Sequence, residues 1–202
     1  MLTKVPPTKK RPTYEIVELF PAQGDWAEEE YLKVAGETNH LVEFSDGKLE
    51  VLDIPSIWHQ EILGRLFLAL SLYLRLNPLG KVYFSALPVR LWAGKFREPD
   101  LIFISQAGLE KMPDDYLGLP DLVAEIISES NEEHDRVTKM SEYARAGIPE
   151  YWIVDPQAHT VEVYWLKGKR YTLNSQLKEG DTLVSFQLPG FELSLAELFA
   201  PQ

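Results

Sequence analysis

Three runs of this chain are apolar at successive positions rather than at alternate ones: "LIFI" (101–104), "LVAEII" (122–127) and "YWIV" (151–154). A strand with one wet face alternates, whereas a strand that stays apolar must be covered on both sides. Covering two faces takes helices, and helical patterns stand between these runs. The sequence therefore points to an α/β fold, a mixed β-sheet flanked by helices.

The other elements fit around that sheet. "GDWAEEEYLKVAGE" predicts a short helix, and "LVEFSDGKLEVL" (41–52) a hairpin turning at Asp46-Gly47. "SIWHQEILGRLFLALSLYLRL" (56–76) predicts the longest helix, with Ile62, Leu63, Leu66, Phe67, Leu70 and Leu74 at spacings of three and four; Asn77-Pro78 and Gly80 end it. "KVYFSALPVRLW" reads as one half-buried strand, and residues 105–120 as a loop. A capping box of Ser130 and Glu133 opens a helix to about Ala146, closed by Gly147 with Pro149 just beyond. "EYWIVDP", "TVEVYWL" and "KRYTL" predict three further strands, and "LSLAELF" a last helix. Residues 1–24, with four cations and three prolines in "KVPPTKKRP", read as a flexible arm; residues 25–202 read as a single domain.

The net charge of −11 argues against nonspecific nucleic-acid binding, which rests on Lys and Arg neutralising phosphates, and suits a site filled by cations. Without cysteine there is no disulfide framework, thiol nucleophile or Cys-ligated zinc. No apolar run reaches the roughly 18 residues of a membrane span, and the first residues lack a signal peptide's apolar stretch. The expectation is a cytoplasmic protein with no membrane partner.

Two strands carry an acid where the pattern wants none. Asp100 opens "PDLIFIS" and Glu125 interrupts "DLVAEII", with apolar Val123 and Ile127 as its neighbours on the same face. A carboxylate buried without a partner is expensive, so it needs a cation or gives up its charge. If the strands are neighbours, the two acids converge, and a hard divalent ion suits such a pair. The pattern alone also allows Asp100 as a turn former and Glu125 as a structural acid. Lys139 lies four residues after Asp135 and seven after Glu132, on one helix face; the simple reading is a surface ion pair with Asp135. Of the four histidines no pair has zinc-type spacing, and His59, at the start of the long helix, is the candidate worth following. There is no serine elbow and no phosphate-cradling glycine loop.

The run "PDLVAEIISESNEEHDRVTKMSEYARAGIPEYWIVDP", with "HQEILGRL", "PDLIFIS" and "LPGFELSLAELF" in order around it, resembles the Uma-type restriction endonucleases, a branch of the PD-(D/E)XK nuclease superfamily. The resemblance covers roughly residues 25–200. It implies a restriction-endonuclease-like α/β/α core and a metal-dependent nuclease site. By motif Asp100 matches the PD aspartate and Glu125 the acid of (D/E)XK. Ile127 stands where the superfamily has lysine, and Lys139 on the following helix is the matching position. His59 matches the histidine that related nucleases place on their first core helix, as a metal ligand. The resemblance further implies magnesium, or manganese, as cofactor, DNA as substrate and a homodimer. Arg65, Arg90, Lys95, Arg97, Arg136 and Arg145 are the expected basic rim. Two rival readings stand beside this one: a nuclease fold without catalysis that serves as a binding module, and a glycosidase using the same two acids, with Trp58 and Trp92 as sugar-stacking candidates.

Overall fold

A computed structural model describes residues 20–38, 40–128 and 131–201. In chain order its elements are α1 (Glu28–Glu37), β1 (Val42–Ser45), β2 (Lys48–Val51), α2 (Ile57–Leu76), β3 (Gly80–Phe84), β4 (Val89–Trp92), β5 (Lys95–Arg97), β6 (Leu101–Ser105), α3 (Gln106–Leu109) and β7 (Leu122–Ile126). A π-helical segment (His134–Lys139) then runs into α4 (Met140–Ala146), followed by β8 (Glu150–Asp155), β9 (Thr160–Lys167), β10 (Arg170–Lys178), β11 (Thr182–Val184), β12 (Glu192–Ser194) and α5 (Leu195–Leu198).

The continuous apolar runs become the middle of a six-stranded mixed sheet, ordered β10-β9-β8-β7-β6-β3. β7 pairs with β8 in parallel, and the other ladders are antiparallel. Both faces are covered, as continuous apolarity requires. On one face Leu101, Phe103, Leu122, Ala124 and Trp152 pack against Ile62, Leu66 and Leu70 of α2. On the other, Ile102, Ile104, Val123, Tyr151 and Ile153 pack against Tyr143 of α4 and Val89 of β4. A second sheet, ordered β2-β1-β5-β4, holds a smaller core of Tyr31, Val42, Phe44 and Phe96.

Most predicted elements stand where the pattern put them. α2 starts on Ser56, whose hydroxyl accepts from the His59 N–H at 3.1 Å, and Gly147 closes α4 in the left-handed region at φ 94°. One expectation fails: "KVYFSALPVRLW" is two strands in different sheets. β3 ends at Phe84 on the edge of the large sheet, and the chain crosses Pro88, which has no N–H for a ladder, before β4 joins the small one. The expected loop 105–120 also holds the single turn α3. Ser130 of the expected capping box lies outside the described residues, as do residues 1–19 of the expected arm. Residues 20–24 lie against the hairpin: Phe20 stacks on Trp26, and the Gly24 N–H donates to Gly47 O at 2.7 Å. No helix among the described residues is long and apolar enough to cross a membrane.

Candidate active site

The register of β6 on β7 sets Leu101 opposite Ala124, which brings Asp100 beside Glu125. Both acids project to the face that carries Val123, Tyr151 and α4, where water is excluded; Glu125 is 2% exposed. The Asp100 N–H donates to Glu125 Oε2 at 3.4 Å, and the Ile126 N–H donates to Asp100 Oδ2 at 2.8 Å. His59, at the first turn of α2, comes around the sheet end to set Nε2 at 3.1 Å from the same Asp100 oxygen. Two strands and one helix start thus meet at one point.

The helix after β7 closes the site. Lys139 ends the π-helical segment and Tyr143 lies one turn further on, and both reach the same atom: Nζ is 3.1 Å from Glu125 Oε1, and the tyrosine hydroxyl donates to it at 2.5 Å. Lys139 also sits 3.1 Å from Asp135 Oδ1 and 3.5 Å from Glu43 Oε1. It is 4% exposed, so the surface ion pair that its spacing suggested is instead a buried one. Glu132 does not share that face. Its carboxylate accepts from Arg136 Nε at 2.8 Å, because Arg136 is drawn outward to Glu162. π-helical turns are rare and recur at functional sites. Here one delivers Asp135 and Lys139 to the same cavity.

Around Lys139, one cation faces more carboxylates than it can neutralise. Burial pushes the Glu125 carboxyl well above the usual range; Asp135 and Asp100 push the same way, against the pull of Lys139 and Tyr143. Burial works against the lysine's charge, but Glu125, Glu43 and Asp135 outweigh it, so the ammonium is held well above its ordinary pKa. Burial likewise lifts Glu98, two residues before Asp100, up to about 7.

A cavity of about 160 Å³ opens onto these groups, lined by His59, Glu98, Asp100, Glu125, Asp135 and Lys139 among others. A second, of about 190 Å³, shares Asp53, Asp135 and Lys139 and adds Glu50 and His134. Glu43, Glu50 and His134 have ligand-type atoms within 4.8 Å of one another. That cluster already has its cation. Arg97 Nη1 donates to Glu43 Oε2 at 2.5 Å and to Glu50 Oε2 at 3.4 Å. Asp100 and Glu125, offering oxygen donors with the His59 imidazole alongside, are the better fit to a hard divalent ion, which often takes only one or two protein carboxylates.

Asp100, Glu125, Lys139 and His59, singled out from the sequence, all line one cavity. Sequence reasoning did not single out Glu43, Glu98, Asp135 and Tyr143, which lie against them. The six cations of the expected basic rim all have partners within the protein. Arg65 donates to the carbonyls of Leu198 and Ala200, Arg90 pairs with Glu28, and Lys95 and Arg97 pair with Glu142. Arg136 pairs with Glu162, and Arg145 lies over the Trp92 ring at 4.1 Å. Each of the six is thus engaged within the protein by an acid, a backbone carbonyl or an aromatic ring. Trp58 packs on the main core with its N–H on Pro156 O, and Trp92 sits under Arg145, so neither offers a sugar platform.

A family model for Uma2, described as a putative restriction endonuclease, matches residues 28–196. No curated protein matches the chain. Among solved structures, one described as a putative nuclease belonging to DUF820 from Anabaena variabilis ATCC 29413 superposes with a TM-score of 0.70 at 18% identity, over 86% of this chain and 97% of that one. At that identity the likeness speaks to the fold.

Proposed function

The chain belongs to the Uma2 family, and from that premise we propose that it is a divalent-metal-dependent endonuclease hydrolysing phosphodiester bonds in DNA. The observation that carries the reading is the meeting of Asp100, Glu125 and Lys139, from two strands and a helix, on one cavity.

In this reading Asp100 and Glu125 hold the ion, magnesium or manganese, with His59 as a third ligand. A bound ion supplies Lewis acidity toward a phosphate oxygen and makes a water nucleophilic at neutral pH. Glu125 keeps one orientation because Tyr143 and Lys139 both hold Oε1, while Oε2 lies toward Asp100. Asp100 is oriented by the Ile126 N–H. Lys139 supplies a fixed positive charge in a place closed to bulk water, where it stabilises negative charge building on the phosphoryl oxygens. Cutting two antiparallel strands suits a two-fold dimer, and we assign the enzyme that state.

The experiment is to incubate supercoiled plasmid with magnesium or manganese and wild-type, Asp100→Asn or Lys139→Ala protein. The expected result is metal-dependent nicking by wild type, with each variant slower by about 10²- to 10³-fold. No cleavage by folded wild type with either ion would favour the second reading, a binding module. The observation on that side is that the six cations expected to meet phosphate are all engaged internally.

A further inference from the structure

Beyond Arg65, α2 carries a single charge, Arg75, and is rich in leucine on both its inward and its outward side. Its inward positions, Leu66, Leu70 and Leu74, belong to the core. Its outward positions are Leu68, Leu72 and Leu76, respectively 57%, 50% and 85% exposed, in a four-residue row that Gly64 heads. A helix apolar on both its inward and its outward side is normally enclosed. The patch continues onto the neighbouring sheet edge. Phe84, at the end of β3 and 49% exposed, meets Phe67 edge-on at 4.8 Å, beside a cavity of about 360 Å³ bounded by Phe67, Val82 and Leu87. Leu79, 39% exposed, follows in the turn after the helix.

We infer that this face is the interface of a homodimer, with α2 of one copy crossing α2 of the other about a two-fold axis near Leu72. Three observations select a second copy as the occupant. The exposed leucines and Phe84 present roughly 500 Å² of apolar surface per copy, so a pair removes on the order of 1,000 Å², the threshold for a specific interface. Two chains of net charge −11 repel, so a stable contact must use a face without acids; from 66 to 80 the only charged residue is Arg75. A four-residue ridge is also self-complementary, since it packs into the matching groove of its own copy at a crossing of about 50°. A lipid surface fits less well, because an interfacial helix carries a cationic polar face. α2 has only Arg65 and Arg75, and Arg65 is committed to the carbonyls of Leu198 and Ala200.

This inference does not rest on nuclease activity, and it has a clean probe because the chain has no cysteine. Light scattering of wild type up to roughly 100 μM should give twice the chain mass. Leu72→Glu should give the monomer with an unchanged circular dichroism spectrum. Leu72→Cys should form a disulfide-linked dimer on mild oxidation, while Lys169→Cys, on the distant β9–β10 turn, should not. A wild-type monomer throughout that range would overturn the interface, as would a Leu72→Glu dimer. Two further outcomes would replace the second copy with another occupant: wild type sedimenting with anionic vesicles, or a wild-type monomer that dimerises only after deletion of residues 1–19.

Discussion

Glu125 has three neighbours competing for two oxygens, and the role of each follows from which oxygen it takes. Tyr143 and Lys139 share Oε1, and the Asp100 N–H takes Oε2. Removing the tyrosine hydroxyl should leave the fold intact while freeing the carboxylate to rotate. Outer partners of this kind typically tune metal affinity by 10- to 100-fold. Tyr143→Phe is therefore expected to weaken manganese binding by about 10-fold in calorimetry, with thermal stability changing little. An unchanged affinity would reduce Tyr143 to a packing residue. The two strand acids were legible in the sequence because each breaks an apolar run. Glu43 was not. In a four-residue hairpin strand between Val42 and Phe44 it looks like an ordinary wet-face residue, yet it is wholly buried. Asp135 escaped for the opposite reason: its spacing from Lys139 is what an exposed helix pair also shows, and only tertiary packing distinguishes the two.

At the level of elements, the small sheet is fastened to α4 by a charged seam. Arg97 of β5 donates to both oxygens of Glu142 and to Glu43 of β1, while Lys95 donates to Glu142 and Ser45. Burial alone would raise the Glu142 carboxyl, but the hydrogen bonds from Arg97 and Lys95 outweigh it and hold the group below its ordinary 4.5. A depressed native pKa contributes stability that is complete above the unfolded value and is lost as pH falls through the native one. Glu142→Gln is thus expected to cost on the order of 3 kcal/mol at pH 7 in chemical denaturation, because it leaves buried cations underpaired. The difference from wild type should shrink progressively below about pH 4.5. A gap independent of pH would show that the seam acts by packing rather than charge. The pattern of apolar residues revealed the strands on either side of this seam but not the seam itself. Hydrophobic periodicity tells which face is covered, and says nothing of which cation meets which acid across 45 or more residues. The same limit explains why one predicted strand proved to be two: alternation continues from Val82 to Ala86, and only the sheet edge decides where pairing stops.

Over the whole molecule, a chain of net charge −11 whose expected rim cations are engaged within the protein has little with which to hold a polyanion. In the proposed reading, binding to DNA therefore depends on the ion in the site rather than on a basic surface. In fluorescence anisotropy, a short duplex is expected to bind in calcium and to stay free in a chelator, with a shallow salt dependence because few phosphates are neutralised by side chains. Tight binding in the chelator would place the contact elsewhere on the surface. Length, elements and sheet coverage were readable from the chain at this scale. The direction in which each arginine points was not, since it depends on acids brought near only by folding. The position of Lys139 carries one more consequence. With its ammonium already among Glu43, Glu125 and Asp135, the protein carries its own stand-in cation, and the carboxylates are set in place by an internal counter-charge. Small metallodomains that lack such a device cannot fold until the ion arrives. If the site takes an ion as proposed, assembly and loading are separate events, and a chain made under metal starvation waits as a finished scaffold that needs only the ion to be completed.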